Sequence, residues 1–477
     1  MTNTDIVALM PLIVLASTAV AVMLSIAFYR CHLLSAVLTL SGITVSFVTL
    51  INTYPVLPRQ ITVLIILDQY VCFYIGLILA ACFIVVVLSY GYLKKSVGNH
   101  EEYYILMLLA VLGSCVLISS SHFASLFLGL EILSVSLYAL ITYLRSNDRC
   151  VEAGIKYLIL AAVSSAILLF GMALVYAELG TLSLSRVAAE SMDTRNMFVS
   201  AGTALIIAGI GFKLAVVPFH MWTPDVYEGA PVPVTAFIAT VSKGAVFGLL
   251  LRYFYLVDIR FNNQLFLIFS LIAIASMFVG NILALQQKNV KRILACSSVA
   301  HIGYLLVAFL AARTFAFTAV SFYLSAYFVT TLGAFGVITV LSKGLKEADS
   351  IDDYYGMAFR RPWLSSVFVA MLLSLAGIPI TAGFIGKFYV IQAGIGSSLW
   401  PLVVMLTINS AIGLFYYLRL VVAMFSKIEA SVDIKQQALG FGGSAVITIL
   451  LILLVWFGVF PAQIFEIIHR SVSAIGY

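Results

Sequence analysis

Stretches of about 20 apolar residues recur along the whole chain, the length that a helix needs to cross the hydrocarbon core of a membrane. They begin near Ile6 and continue into the C-terminal region. Apolar residues make up 63% of the 477 residues and charged residues only 10%, a balance that a water-soluble fold does not tolerate. The pattern therefore predicts a membrane protein with little chain left for a soluble domain.

We predict an all-α polytopic membrane protein of about 14 transmembrane helices joined by short loops. Each boundary has a tolerance of about four residues. The predicted spans are 6–28, 34–53, 70–92, 103–119, 123–143, 155–177, 201–219, 233–256, 263–285, 292–311, 317–342, 363–386, 400–424 and 443–460.

Basic residues concentrate in the loops that follow odd-numbered spans. The positive-inside rule then places these loops in the cytoplasm and both termini on the opposite side. This asymmetry explains the formal charge of +6 without a nucleic-acid or acidic-substrate partner. The loops after odd-numbered spans contain Arg30, Lys94, Lys95, Arg145, Arg149, Lys288, Lys291, Arg292, Lys343, Lys346, Arg360, Arg361, Lys427 and Lys435. The other loops contain Arg59, Arg186, Arg195, Arg252, Arg260, Arg313 and Arg470.

A weak internal repeat relates positions about 166 residues apart, a spacing at which polar or helix-breaking residues coincide repeatedly. Each repeat holds five predicted spans, and an odd number forces the second repeat to insert upside down. Inverted repeats of this kind place a transport site at the midplane between them. The pairs are Glu131 with Ser297, Lys213 with Pro379 and Lys243 with Asn409. The predicted divisions are 1–100 (three helices), 101–258 (first five-helix unit), 259–428 (second, inverted unit) and 429–477 (one C-terminal helix).

Four charged residues fall within or near apolar spans, namely Glu131, Lys213, Lys243 and Lys387. One charge at a helix centre opposes insertion by about 2.5–3.5 kcal/mol, so four oppose it by roughly 10 kcal/mol before pairing. A single lysine could snorkel or form a structural ion pair, but four together favour an ion path. Burial lowers the pKa of a lysine and a nearby carboxylate raises it, so Glu131 beside Lys213 predicts a proton site that can switch.

Two spans are predicted to be broken, one just after Lys213 and one just before Lys387. Proline removes a backbone donor, and freed carbonyls at membrane depth persist only where they face protein or water. Proline kinks are common without function, yet two breaks at repeat-related positions, each near a lysine, favour a hydrated pocket. The interrupting residues are Pro218, Pro224, Pro231 and Pro233 in the first break and Gly377, Pro379, Gly383 and Gly386 in the second.

Two histidines lie near these features. His301 has hydroxyl residues close in sequence, so it is either a proton relay or a hydrogen-bonded packing residue. His220 lies at the first break as a candidate gate or, as we favour, an interfacial residue. Asp225 and Glu228 are expected to cap helix ends. The six cysteines lack metal-ligand spacing, and no nucleotide or haem motif is present, so redox chemistry must lie elsewhere.

The stretches around the breaks resemble one family, the antiporter-like membrane subunits of proton-pumping NADH:quinone oxidoreductase, respiratory complex I. Within that family the wording is similar to the subunit N group rather than to subunits L and M. Subunit M is expected to carry a glutamate at the position of Lys387, and subunit L to continue into a long lateral helix. The stretches are GFKLAVVPFHMWTPDVYEGAPVPVTAF followed by SKGAVFG, KRILACSSVAHIGYLL, and SLAGIPITAGFIGKFYV.

The resemblance implies a role for each buried residue. Glu131 and Lys213 would form the charge pair at the inlet, Lys243 the central relay, His301 a linking polar residue, and Lys387 the lysine that leads to the outlet. The chain itself would hold no cofactor, with NADH, FMN, iron–sulfur clusters and quinone in partner subunits.

The resemblance also implies partners and a location. The expected partners are subunit M, the small membrane subunits and the lipid bilayer, with no nucleic acid. The expected location is the bacterial inner membrane, with both termini periplasmic. Two alternatives remain open: a component of a multisubunit sodium/proton antiporter, similar to the D-type subunit of such antiporters, and a structural membrane subunit that conducts no ions.

Overall fold

The computed structural model describes residues 2–96, 98–190, 196–256, 262–311, 314–342, 347–426 and 440–473. Within these ranges, twelve helices are long and apolar enough to cross a membrane, and two shorter apolar helices cover Glu102–Ile118 and Pro362–Ala376. The prediction of a helical, multi-pass membrane protein is therefore confirmed. Of the basic residues assigned to loops, those at 195, 260, 313, 343, 346, 427 and 435 lie outside the described residues.

The N-terminal part contains three long helices. A two-stranded antiparallel hairpin stands between the second and third helices and pairs Arg59 with Leu67 and Gln60 with Ile66. Strands otherwise contribute negligibly to the described chain. The elements are α1 (Asn3–Phe28), α2 (His32–Thr53), β1 (Arg59–Gln60), β2 (Ile66–Leu67) and α3 (Gln69–Leu93), with a 3₁₀ turn at Tyr54–Val56.

The next part contains the first predicted five-span unit. Its last span is continuous but changes pitch, because a π-helical turn at Ile238–Ser242 joins its two α-helical halves. The elements are α4 (Glu102–Ile118), α5 (Phe123–Ile141), α6 (Asp148–Leu179), α7 (Leu184–Glu190), α8 (Met197–Leu214), α9 (Trp222–Gly229), α10 (Val232–Phe237) and α11 (Lys243–Leu256).

The remaining helices include the second predicted unit and two C-terminal helices. A 3₁₀ turn at Ile351–Tyr354 precedes the short helix α15. The elements are α12 (Asn263–Gln286), α13 (Val290–Ala311), α14 (Thr314–Leu341), α15 (Met357–Arg360), α16 (Pro362–Ala376), α17 (Ala382–Gly396), α18 (Trp400–Phe425), α19 (Phe441–Val459) and α20 (Pro461–Ser473).

The helices of the two predicted units pack in the same order. Helix α4 lies against α5 as α12 lies against α13, and α6 lies against α8 and α9 as α14 lies against α16 and α17. The centre of the molecule is formed by α10–α11, α13 and α14, whose membrane-spanning windows are the most deeply buried of those described. The helices that bear Lys243 and His301 are thus enclosed by protein.

Both predicted helix breaks are present, but their positions differ from the predicted boundaries. Helix α8 ends at Leu214, where Ala215 adopts a left-handed conformation with φ 60°, so the predicted span 201–219 runs into the break. Helix α17 continues to Gly396, ten residues beyond the predicted end of the span 363–386. The apolar run is continuous through that region, whereas the backbone turns at Gly377, whose φ is 87°.

Candidate functional site

All five predicted site residues lie on helices. Lys213, Lys243, His301 and Lys387 are buried, with exposures of 4%, 1%, 3% and 7%, and Glu131 is half-buried. Ammonium and imidazole groups at such depth require polar partners, because an unpaired buried charge is very costly. The partners of each group therefore indicate what it can do.

Glu131 and Lys213 do not contact each other directly. Each of the two charged groups binds a serine hydroxyl instead. Ser165 Oγ donates to Glu131 Oε1 at 2.5 Å, and Lys213 Nζ donates to Ser134 Oγ at 2.7 Å. No ion pair within 4.0 Å joins these two described residues. Ser134, which binds the ammonium, lies one turn beyond Glu131 on α5. The two charged groups are thus apart in this structure, and the charge pair expected at the inlet stays a prediction.

Aromatic side chains enclose Lys213 where α8 ends. Its Nζ lies 5.6 Å from the ring centre of Tyr157 and 5.9 Å from that of Phe212, distances typical of cation–π contacts. Trp222 Nε1 donates to the carbonyl oxygen of Phe212 at 3.0 Å. The same carbonyl accepts from the amide of Ala215 at 3.0 Å, so the end of α8 beside the lysine is bonded to protein groups.

Lys243 begins α11 directly after the π-helical turn. Its Nζ donates to Ser298 Oγ at 2.5 Å and lies 5.4 Å from the ring centre of Tyr227. The Tyr227 hydroxyl is 3.4 Å from the same Ser298 Oγ. Short π-helical turns inside α-helices occur frequently at functional sites, and apolar periodicity gave no sign of this one. Ser298 thus links the central lysine to α13.

His301 contacts a tyrosine hydroxyl on each side of its ring. Nδ1 lies 2.5 Å from Tyr323 Oη, and Nε2 lies 3.1 Å from Tyr417 Oη. The Tyr417 hydroxyl also hydrogen-bonds Ser297 Oγ, next to the serine that binds Lys243. Sequence reasoning missed both tyrosines. Since a neutral imidazole donates from one nitrogen and accepts at the other, this geometry suits a ring that passes a proton between hydroxyls.

Lys387 uses the second helix break as its binding site. Its Nζ donates to the carbonyl oxygens of Leu375 and Ala376 at 3.0 and 2.9 Å, and to Ser410 Oγ at 2.9 Å. The two carbonyls belong to the last turn of α16 and have no onward helical partner because the chain turns at Gly377. The three hydrogens of the ammonium group are therefore all donated to neutral oxygens.

The first break holds a histidine and two carboxylates. His220 is buried, and neither ring nitrogen has a hydrogen-bond partner within the described chain, while its expected place at the membrane interface stays a prediction. Asp225 pairs with Arg292 at 2.7 Å and Lys156 at 3.0 Å, and Glu228 also pairs with Arg292. These carboxylates on α9 therefore bind side chains of α6 and α13 instead of capping helix ends.

Sequence reasoning also missed several buried charges, among them Lys291, Arg252 and Asp68. Lys291 was assigned to the loop before the span 292–311, but α13 begins at Val290. Arg252 was counted with the loop residues although the predicted span 233–256 contains it, and it lies on α11. Arg252 Nη2 pairs with Asp68 Oδ2 at 2.5 Å, and Asp68 caps α3 through the amide of Val71. The only signal in the sequence was an aspartate directly before an apolar run, which is typical of a helix N-cap.

Comparisons with known proteins agree on one family. The family model described as NADH:quinone oxidoreductase/Mrp antiporter, TM, matches residues 120–413. The chain is 52% identical to NADH-quinone oxidoreductase subunit N of Nitrosospira multiformis, over 98% of this chain and 96% of that protein. A chain of respiratory complex I from Thermus thermophilus with bound aureothin superposes with a TM-score of 0.82 at 30% identity, covering 96% of this chain and 98% of that one.

A second solved structure shows how widely this fold is shared. A chain of the Mrp complex from Dietzia sp. superposes with a TM-score of 0.88, covering 100% of this chain and 98% of that one. The identity is only 18%, so this likeness shows the fold alone.

Proposed function

Because the chain belongs to the subunit N family of NADH-quinone oxidoreductases, we propose that it conducts protons through Glu131, Lys213, Lys243, His301 and Lys387. Electron transfer from NADH to quinone would supply the energy. We assign that redox chemistry to partner subunits carrying FMN, iron–sulfur clusters and the quinone site, with subunit M and the small membrane subunits as neighbours. The proposed location is the bacterial inner membrane, with both termini periplasmic.

One observation carries this proposal: hydroxyl groups on or against one turn of α13 bind both the central lysine and the buried histidine. Lys243 binds Ser298, the adjacent Ser297 binds the Tyr417 hydroxyl, and that hydroxyl lies 3.1 Å from Nε2 of His301. Hydroxyl groups both donate and accept, so each of these contacts can pass a proton. Ser298 and Ser297 are neighbours in sequence, without a hydrogen bond between their hydroxyls among the described contacts.

The proposed path crosses both predicted units. Lys213 lies in 101–258 at the first break, and Lys387 lies in 259–428 at the second, with Lys243 and His301 between them. In this proposal a change at Glu131 alters the proton occupancy of Lys213, and the change passes through Lys243 and His301 to Lys387. The separation of Glu131 from Lys213 in this structure corresponds to one state of that switch, in which Ser134 holds the ammonium.

The two alternatives make different demands on the same residues. A structural subunit would work with neutral side chains of equal volume at Lys243, since only packing would matter. A sodium/proton antiporter component would need sodium for its activity, and the likeness to the Mrp complex supports only the fold.

The test is NADH-driven proton uptake by inverted membrane vesicles that contain Lys243→Met. We expect the assembled complex to lose most of the proton uptake assigned to this subunit, because methionine keeps the volume but cannot bind a proton. Lys94→Met is the matched control, since Lys94 is an exposed lysine at the end of α3. Normal uptake by Lys243→Met would overturn the proposed path, and uptake that depends on sodium would favour the antiporter alternative.

A further inference from the structure

The junction between α9 and α10 leaves two backbone groups without helical partners. Helix α9 ends at Gly229 and α10 begins at Val232, so the chain between them cannot continue either hydrogen-bond ladder. Lys291 Nζ donates to the carbonyl oxygen of Ala230 at 2.8 Å. The amide of Val232 donates to Glu347 Oε1 at 3.1 Å. A cation thus binds the junction carbonyl, which also accepts from Thr235 Oγ1 at 3.4 Å, and an anion binds the junction amide.

These two side chains also pair with each other in a buried setting. Lys291 Nζ forms an ion pair with Glu347 Oε2, and the exposed fractions of the two side chains are 0% and 12%. The Tyr92 hydroxyl on α3 adds a bond of 2.5 Å to Glu347 Oε1. Buried ion pairs are maintained only when further hydrogen bonds satisfy both ions, and here the helix junction and the tyrosine supply them.

We propose that the Lys291–Glu347 pair is a clasp that sets the position of Lys243 for proton transfer. The inference rests on the proton path proposed above. Lys243 lies eleven residues, or about 16 Å, along the span that begins at Val232, and its partner Ser298 lies seven residues, or about 10 Å, beyond Lys291 on α13. Because the clasp ties the beginnings of these two helices together, it fixes how closely Lys243 Nζ approaches Ser298 Oγ.

Lys291 and Glu347 are therefore positioning residues, since neither contacts the proposed path itself. The clasp also joins the two predicted units, because Val232 belongs to 101–258 and both charged residues belong to 259–428. Tyr227, which faces Lys243, lies on the other side of the same junction on α9. Loosening the junction would thus displace two groups that contact the central lysine.

The clasp differs from a simple structural ion pair because each of its two charges must face a particular backbone group. Swapping the two charges therefore distinguishes a clasp from a structural pair. In Lys291→Glu with Glu347→Lys the pair is kept, but a carboxylate would face the Ala230 carbonyl and an ammonium the Val232 amide. A structural pair predicts that this double variant restores what Glu347→Met loses. The clasp predicts no restoration. Glu347→Gln should be milder than Glu347→Met, because its amide oxygen still accepts from Val232.

The experiment combines proton uptake per assembled complex with backbone hydrogen exchange of peptides within 222–243. For Glu347→Met and the charge exchange, we expect uptake to fall by about tenfold, since small displacements of reacting groups are costly. We also expect exchange near Val232 to accelerate by about tenfold as its acceptor is lost. Lys288→Gln is the control, as it removes an exposed charge three residues from Lys291 without touching the junction.

The clasp would be overturned, whatever the proton path proves to be, by either of two results. One is an unchanged rate of hydrogen exchange near Val232 in Glu347→Met, and the other is full rescue by the double variant with swapped charges. If exchange accelerates but uptake is unchanged while Lys243→Met lowers uptake, the path stands and the positioning role is wrong. If neither Lys243→Met nor Glu347→Met changes uptake, the path fails, and with it the positioning role that rests on it.

Discussion

The buried lysines fall into two kinds according to their partners. Lys213, Lys243 and Lys387 each donate to a serine hydroxyl, and none forms an ion pair within the described chain. Lys291 instead pairs with a carboxylate. Neutral oxygens compensate the desolvation of an ammonium less completely than a carboxylate does. The three lysines of the proposed path therefore differ from Lys291 in having neutral oxygens, and no carboxylate, as their hydrogen-bond partners within the described chain.

The geometry around Lys387 predicts that a positive charge at this position is not sufficient for proton uptake. Lys387→Met should abolish most proton uptake, because methionine cannot bind a proton. Lys387→Arg should fail nearly as badly, since a guanidinium remains charged and its planar fork does not fit two carbonyls and a hydroxyl arranged around an ammonium. NADH-driven uptake by vesicles, normalised to assembled complex, measures both. A fully active arginine variant would remove Lys387 from the path.

At Glu131 the prediction concerns charge at nearly constant shape. Glu131→Gln keeps an oxygen that accepts from Ser165 Oγ, so the complex should assemble normally. Proton uptake should nevertheless fall, because an amide cannot change the charge near Lys213. Glu131→Asp should be milder. Glu152→Gln is the control, since Glu152 forms an exposed pair with Lys156 and such pairs contribute little. Uptake equal to that of the control would leave Glu131 a structural role.

At the scale of helices, a helix break leaves backbone carbonyl groups that can bind a side chain. At the second break, Gly377 has a φ of 87°, and a Cβ there would lie 2.9 Å from Cδ of Lys387. Only glycine therefore allows both the turn and the close approach of the lysine to the carbonyls of α16. The binding of Lys387 to the α16 carbonyls therefore depends on the glycine ten residues before it.

Gly377→Ala should weaken the contact of Lys387 with the α16 carbonyls. A left-handed conformation costs a residue with a Cβ about 1–2 kcal/mol, and the added methyl group would push Lys387 from its carbonyls. We expect a lower thermal inactivation midpoint of the assembled complex and reduced proton uptake. Gly396→Ala is the matched control, because a Cβ at this glycine on α17 meets no atom within 4 Å. Equal behaviour of the two variants would show that the close approach at Gly377 is unimportant.

How much of this could be predicted from sequence differs between helices and contacts. Apolar length predicted the helices, and proline and glycine predicted where two of them break. Gly377 was among the residues named at the second break, but the positive φ of Ala215 and Ile380 was not predicted, because non-glycine residues rarely adopt it. The hydroxyl partners were missed because each comes from a helix far away in sequence, as Ser410 does for Lys387. No local spacing reveals such contacts.

At the scale of the molecule, the most buried helices carry the proposed relay. Helices α10–α11 from one predicted unit and α13 and α14 from the other form the centre, where Lys243 and His301 lie. Outer helices such as α1 and α2 bury only about a third of their apolar windows and present the rest to their surroundings. The middle part of the proposed relay is therefore enclosed by protein.

The orientation of those ends gives the last prediction. Helix α6 has 32 residues and is about 48 Å long. Arg149 near its start pairs with Asp349 at 3.5 Å, which places the segment around Asp352 at the end rich in basic residues. Exposed Ala189 on α7 follows the other end of α6. Asp352→Cys should react with a membrane-impermeant maleimide from the cytoplasmic side and Ala189→Cys from the periplasmic side. Comparing right-side-out with inverted vesicles checks the assignment, and the reverse pattern would overturn the topology.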